Sequence, residues 1–342
     1  MRFGIRFDLY PSYIKLNEIV DYIKLAEKSG FDHAWIGQED LYRDVFIILT
    51  AISINTKRIK LGPSVVNPYT THPAVLAAAI STLNEISNGR TVFGIGAGGS
   101  AILRPLCVKM WDKPVDRLRE AIEISRKLFN GEALCYDGKT LKLNNAKLAF
   151  PPKNFIPIYL AARGPRLIRL ATELADGINL GSTPILSIEL VLSLIKEGME
   201  AHKRRMEDID LMNPMMFSIS RNGEEAVKFL KKSDPIILYN LLMIFLDTPS
   251  ELLEKSGMEK EKIEMIRKTF HSKGALEASK LITDEMIDML AIAGDVETVI
   301  EKIESFKKSG ITHIGVFQPL GPNPVEAIKL IGDSIIPLFS DE

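Results

Sequence analysis

"GIGAGG" (residues 94–99) satisfies the spacing G-x-G-x-x-G, which in a doubly wound sheet cradles the pyrophosphate of a dinucleotide. How these six residues are read decides the fold. A dinucleotide fingerprint belongs to the first βαβ unit, its glycines open a helix at once, and an acid ends the next strand about 20 residues on. Here the motif closes the fourth strand-like run, and the loop-like SAILRPLCVKMWDKP follows, with Pro105 and Pro114. The acid at the right distance, Glu120, falls inside a helical stretch. The motif fails on all three counts. Gly94 and Gly96 then read as a strand that packs closely against its neighbours. Gly98 and Gly99 read as a wall at the carboxyl end of the strand, where missing side chains let a flat ligand approach backbone.

Outward from this point the chain alternates. Strand-like runs lie at 2–7, 33–37, 58–66, 91–96, 157–162, 177–182, 208–220 and 313–318. Helical patterns lie at 17–29, 43–54, 73–86, 115–129, 165–175 and 185–206, and again at 294–310 and 324–336. Ile19, Ile23 and Ala26 recur at helical spacing, Asn17 suits the N-cap, and Gly30 suits the stop. Pro214 interrupts the seventh strand-like run. Two segments break the rhythm. Residues 131–148 carry Asp137-Gly138 between β-prone runs and predict a hairpin excursion. Residues 222–290 read as a helical insertion without strand signals. Eight alternating units predict a single (β/α)8 (TIM) barrel domain over 1–342, with a doubly wound open sheet as the alternative.

Composition narrows the function classes. The chain has 342 residues, 46% hydrophobic and 25% charged, and 43 Lys and Arg balance 44 Asp and Glu. No basic field recruits nucleic acid. The most apolar run, PIILYNLLMIFL (235–246), is too short to span a bilayer and reads as a buried or subunit-interface helix. MRFGIRFDLY lacks a signal-peptide pattern, and only two cysteines occur, so the cytoplasm is the expected compartment. No His-x-x-x-His, carboxylate cluster or nucleophile elbow is present, so neither a metal site nor a hydrolase is expected. His33 and His313 start their strands, at the stability end of a barrel, and Trp35 reads as core. His72, before Pro73, reads as a cap or surface residue, with a site-facing role as the alternative.

LNEISNGRTVFGIGAGG (83–99) resembles the luciferase-like flavin and deazaflavin oxidoreductases, above all the methylenetetrahydromethanopterin reductases that use coenzyme F420. GFDHAWIGQED (30–40), KLGPSVVNPYTTHPAVLAAAISTL (60–83), PIYLAARGPRLIRLATELADGINLGS (157–182) and SGITHIGVFQPLGPNP (309–324) carry the same resemblance, in order. It implies a TIM barrel with insertions, usually dimeric, binding its isoalloxazine-type ring at the carboxyl end and acting on a small molecule. It also implies a bulge backing the ring at Ser64, Val65, Val66 and Asn67, with a non-prolyl cis peptide at Ser64–Val65.

Physical chemistry adds to this. Gly164 and Pro165 open a helix straight after a strand, so free N–H groups face the barrel mouth and suit a phosphate, and Arg163 adds charge. Arg166 and Arg169 read equally as a solvated helix face. Gly181 and Ser182 end the neighbouring strand, and Gln38 stands after strand two.

The chain departs from the reductases where they carry acids: it has Arg6, Gln38-Glu39 and Gly99 in those three places. Hydride transfer to an iminium-like carbon needs a group to manage the amine proton. Glu39 or Asp40 is therefore a candidate acid, and Arg6 favours an anionic substrate or a phosphate-bearing tail. The alternatives are an FMN-dependent monooxygenase and a non-catalytic flavin-binding homologue.

Overall fold

The computed structural model describes residues 1–9, 14–39, 41–99, 103–109, 112–231 and 235–340. Its strands are β1 (Arg2–Phe7), β2 (His33–Ile36), β3 (Lys60–Pro63), β4 (Phe93–Ile95), β5 (Leu134–Asp137) and β6 (Lys142–Ala146), then β7 (Ile158–Ala161), β8 (Gly177–Asn179), β9 (Asp210–Ile219), β10 (Ala291–Gly294) and β11 (His313–Leu320). The main sheet runs β3-β2-β1-β11-β9-β8-β7-β4, and its pairs are parallel. Bridges Leu61–Thr91 and Val66–Ile95 join the first strand to the last. The sheet closes on itself, which makes the fold a (β/α)8 barrel and excludes the open alternative.

Closure explains half of GIGAGG. A Cβ on Gly94 would lie 2.0 Å from Pro63 O, and one on Gly62 would lie 2.2 Å from Val92 O. Glycine on both strands lets β3 and β4 approach closely where the barrel is stitched. At Gly96 an added Cβ would meet Val65 Cγ2 at 2.7 Å.

The outer layer begins with α1 (Leu16–Lys28), α2 (Val45–Asn55), α3 (Pro73–Ile86), α4 (Pro114–Phe129), α5 (Pro165–Leu174) and α6 (Ile185–Ala201). Helix α1 buries Ile19, Ile23 and Ala26 against the sheet, each contributing up to about 1.5–3 kcal/mol when large and aliphatic. Its N-cap is Lys15 rather than Asn17, and the Glu18 carboxylate accepts from the Lys15 N–H at 2.9 Å. His72 caps α3, its Nδ1 accepting from Ala74 N–H. Helix α6 stops at Ala201 and not near 206, where the chain turns through Lys203 at φ 54°.

Strands β5 and β6 pair as an antiparallel hairpin outside the barrel. Between β9 and β10 lie α7 (Gly223–Lys231), α8 (Pro235–Asp247), α9 (Ser250–Lys255), α10 (Lys260–Lys273), α11 (Ala275–Ser279) and α12 (Asp284–Leu290). They share a core of their own, including Leu241, Phe245, Leu253, Ile263 and Leu290. Helices α13 (Val296–Ser309) and α14 (Pro324–Leu330) complete the layer.

Two features depart from the expectation. Strand β10, AIAG, extends β9 on the edge that β8 occupies lower down. Three small residues around a single Ile are too short a run to carry a strand signal. Strand β9 keeps its ladder through Pro214 because Gly315 lies opposite: a Cβ there would sit 2.8 Å from Pro214 Cα. Among the described residues no helix is long and apolar enough to cross a membrane.

Candidate functional site

The carboxyl ends of the barrel strands surround a cavity of about 900 Å³. From β1 comes Arg6 and, one place past its end, Asp8. Both face inward because side chains alternate along a strand. Arg6 Nη2 lies 3.0 Å from Asp8 Oδ1, and its guanidinium stands 4.3 Å over the Phe317 ring from β11. The Asp8 backbone N–H donates to Gln318 Oε1 at 3.0 Å. Asp8 is 1% exposed; burial raises its carboxyl above the ordinary value, and Arg6 opposes that. Arg6 Nε and Gln318 Nε2 are buried without a hydrogen-bond partner, so donors aimed near this floor are unspent.

The side wall is built from β3 and β4. The Ser64–Val65 peptide is cis, and Ser64 Oγ accepts from Asn179 Nδ2 of β8 at 3.2 Å. Val65 and Asn67 line the cavity, with Gly98 and Gly99 beside them. Asn67 Oδ1 accepts from the N–H groups of Tyr69 and Thr70, which shapes the turn. Val66, expected among the ligand contacts, is not among the residues lining the cavity: its side chain is 2% exposed and joins the packed core. The cause is the ladder, in which Val66 N–H donates to Gly94 O and Gly96 N–H to Val66 O.

Opposite stands the start of α5. Gly164 is its N-cap without a side-chain cap, Pro165 follows, and Arg166 and Leu167 line the cavity. First-turn N–H groups left open in this way attract an anion. Arg163 donates through Nε to Gly181 O at 3.0 Å and through Nη1 to Met243 O at 3.4 Å. Burial lowers its guanidinium from the ordinary value, with Asp247 acting against the shift. Gly181 and Ser182 line the cavity too, but the Ser182 hydroxyl donates to Pro214 O at 2.6 Å and ties β8 to β9.

Gln38 and Glu39 complete the mouth after β2. Asp40 lies outside the described residues. Arg169, on α5, is exposed and away from the cavity.

Several cavity residues escaped the sequence reading. Asp8 sits one place beyond the strand-like run ending at Phe7, and extending the period-two alternation from Arg6 would have found it. Met243, Ile244, Asp247 and Pro249 come from the helical insertion, which roofs the barrel. Nothing local marks that role.

A second hollow, about 1030 Å³, lies between α7 and the start of α13. Two of its cations are paired in place: Lys231 with Asp284 and Asp288, and Arg221 with Glu326.

The profile of the luciferase-like monooxygenases matches residues 1–313. A 5,10-methylenetetrahydromethanopterin reductase of Archaeoglobus fulgidus is 38% identical over 341 residues, covering 98% of this chain and 99% of the relative. That of Methanolobus tindarius is 34% identical over 338 residues, covering 98% and 100%. The crystal structure of the coenzyme F420 dependent tetrahydromethanopterin reductase of Methanopyrus kandleri superposes with a TM-score of 0.86, at 30% identity over 99% of both chains.

Proposed function

The chain belongs to the luciferase-like monooxygenase family, and from that premise we propose that it is an oxidoreductase that uses coenzyme F420 to transfer a hydride to or from a methylenetetrahydromethanopterin-like substrate. The observation that carries this reading is the barrel-mouth cavity. It has a flat wall of Val65, Gly98 and Gly99 on one side and an open helix N-terminus with Arg163 on the other. That pairing suits a planar ring joined to a phosphate-bearing tail.

When bound, coenzyme F420 supplies a two-electron centre. The residues of the chain do the rest. Val65 backs the ring, and Gly98 and Gly99 leave room for it. Arg163 and the first turn of α5 hold the phosphate through charge-assisted hydrogen bonds. Met216, Met243, Ile244 and Phe317 exclude water above the reacting face. Arg6 places positive charge on the substrate side, where it orients an anionic group.

We also infer one barrel domain, working in the cytoplasm as a homodimer. Its two cysteines, Cys107 and Cys135, are free and exposed, which suits a reducing compartment. Helix α2 carries no charge, and Ile47 and Ile54 are each 70% exposed beside Val75 of α3 at 59%. An apolar face of that kind suits a second copy of the chain. Sedimentation equilibrium tests this: Ile47→Lys should yield monomer, and a monomeric wild type would refute it.

Fluorescence titration of the purified protein with F420 and with FMN tests the cofactor. Micromolar F420 affinity with pterin-dependent turnover is expected. Tight FMN binding with oxygen consumption would point instead to a monooxygenase, and binding of neither would overturn both.

A further inference from the structure

The acid that the resemblance places on strand one is replaced by Arg6, and the candidate Glu39 sits at the half-exposed mouth of the cavity rather than on its floor. We propose that Asp8 holds and delivers the substrate's proton, with Arg6 as the positioning residue that orients its carboxyl. The inference rests on the F420-dependent reductase reading.

Three observations meet at Asp8. First, it lines the cavity on the same face of β1 as Arg6, beside Phe317. Second, the barrel is shaped around its carboxyl. A Cβ on Gly37, at the end of β2, would lie 2.1 Å from Asp8 Oδ1, so only glycine leaves the group its place. Third, Asp8 is held from two strands, by Arg6 Nη2 on its own and by Gln318 Oε1 of β11 at its backbone N–H. A buried carboxyl oriented by Arg6, on a backbone pinned by Gln318 and open to a ligand cavity, is what general acid catalysis requires.

Its surroundings fit the task. Burial favours the protonated form, and Arg6 is the cation in contact with it. Among the described residues, Glu39 and Arg163 are the other charged groups on nearby strand ends of the same cavity, with Asp247 above them and Arg166 on α5. Glu39 sits at the half-exposed mouth, whereas Asp8 sits on the floor.

The step balances for a substrate whose reactive carbon is bonded to two amine nitrogens. That carbon would take a hydride from the reduced deazaflavin, which is thereby oxidised by two electrons and would release its ring N–H proton to solvent. One C–N bond breaks, its electron pair stays on nitrogen, and the nitrogen takes the proton from the Asp8 carboxyl. Solvent then reprotonates the carboxylate.

The test follows Asp8→Asn, Asp8→Glu and Arg6→Gln by two routes. Kinetics with reduced F420 and methylenetetrahydromethanopterin should show kcat falling about 100-fold or more in D8N. KM and the F420 affinity should stay within a few-fold, with partial recovery in D8E. The basic limb of the kcat profile should move to higher pH in R6Q, because a neighbouring cation favours the carboxylate. Infrared difference spectroscopy of the protein with F420 bound follows the protonated carboxyl band without any pterin. A band absent from D8N and titrating above the ordinary carboxylate range supports the proposal. Unchanged kcat in D8N, or an Asp8 that titrates at or below about 3.9, overturns it. Wild-type protein that turns over no pterin while Asp8 titrates high refutes the substrate reading alone.

Discussion

Two buried aspartates sit at opposite ends of the same barrel, and their carboxyls are driven in opposite directions. At the amino end Asp210 receives Tyr159 Oη at 2.7 Å, Thr312 Oγ1 at 2.6 Å, His313 Nδ1 at 2.9 Å and Arg2 Nη1 at 2.8 Å. Burial pushes its carboxyl upward, but His313, Arg2 and Thr312 outweigh burial and hold it far below the ordinary range. At the carboxyl end Arg6 is the one side chain at the Asp8 carboxyl among the described residues, and burial wins. Equal burial therefore does not give equal chemistry. A fully partnered carboxylate is structural material, whereas an under-partnered one keeps its reactivity.

The comparison breaks most sharply at Asp210. Asp210→Ala strands Arg2, Tyr159 and His313 around a vacated site and should cost about 3–5 kcal/mol of stability, read as a lower midpoint in urea. Asp8→Asn, close in shape and at a site with one side-chain partner, should change that midpoint far less. Equal losses in the two variants would void the distinction.

Gly37 sharpens the carboxyl end. Gly37→Ala places a methyl where Asp8 Oδ1 now sits, and overpacking of this kind costs about 1–3 kcal/mol. The penalty should shrink when Asp8→Ala is added. A double-mutant cycle that shows simple additivity would mean that the glycine serves another neighbour.

The smallest effect concerns His33, which lies beside Trp35 and His313 at the amino end. Burial, then the nearby His313, lowers its ring well below the ordinary value. The unfolded chain gains a proton below about pH 6.5 that the fold refuses, so stability falls as pH falls through that window toward the folded pKa. The slope attributable to His33 is at most about 1.4 kcal/mol per pH unit. Acid unfolding curves of His33→Asn should be flatter between pH 6.5 and 5, and superimposable curves would count against the argument.

Much of the architecture was legible because it rests on periodicity. Ile19, Ile23 and Ala26 mark the buried face of α1, and Pro73 and Gly89 frame α3. The failure of GIGAGG as a nucleotide fingerprint pointed away from a doubly wound sheet. Legibility fell off where a short element lacks a period, as in β10, or where a residue's partner lies far along the chain. Asp8 illustrates the second case. The alternation from Arg6 points its side chain inward, but its neighbours Gly37 and Gln318 are remote in sequence, and nothing local marks how deeply it is buried.

Local patterning by itself determined the alternation of strands and helices and the open first turn at Gly164-Pro165, since each depends on backbone conformation within one segment. Tertiary structure alone decided that Gly62 meets β4, that the insertion roofs the mouth, and which of two buried aspartates stays reactive. Charge and burial act through space, and the distances that set them exist only once the barrel has closed.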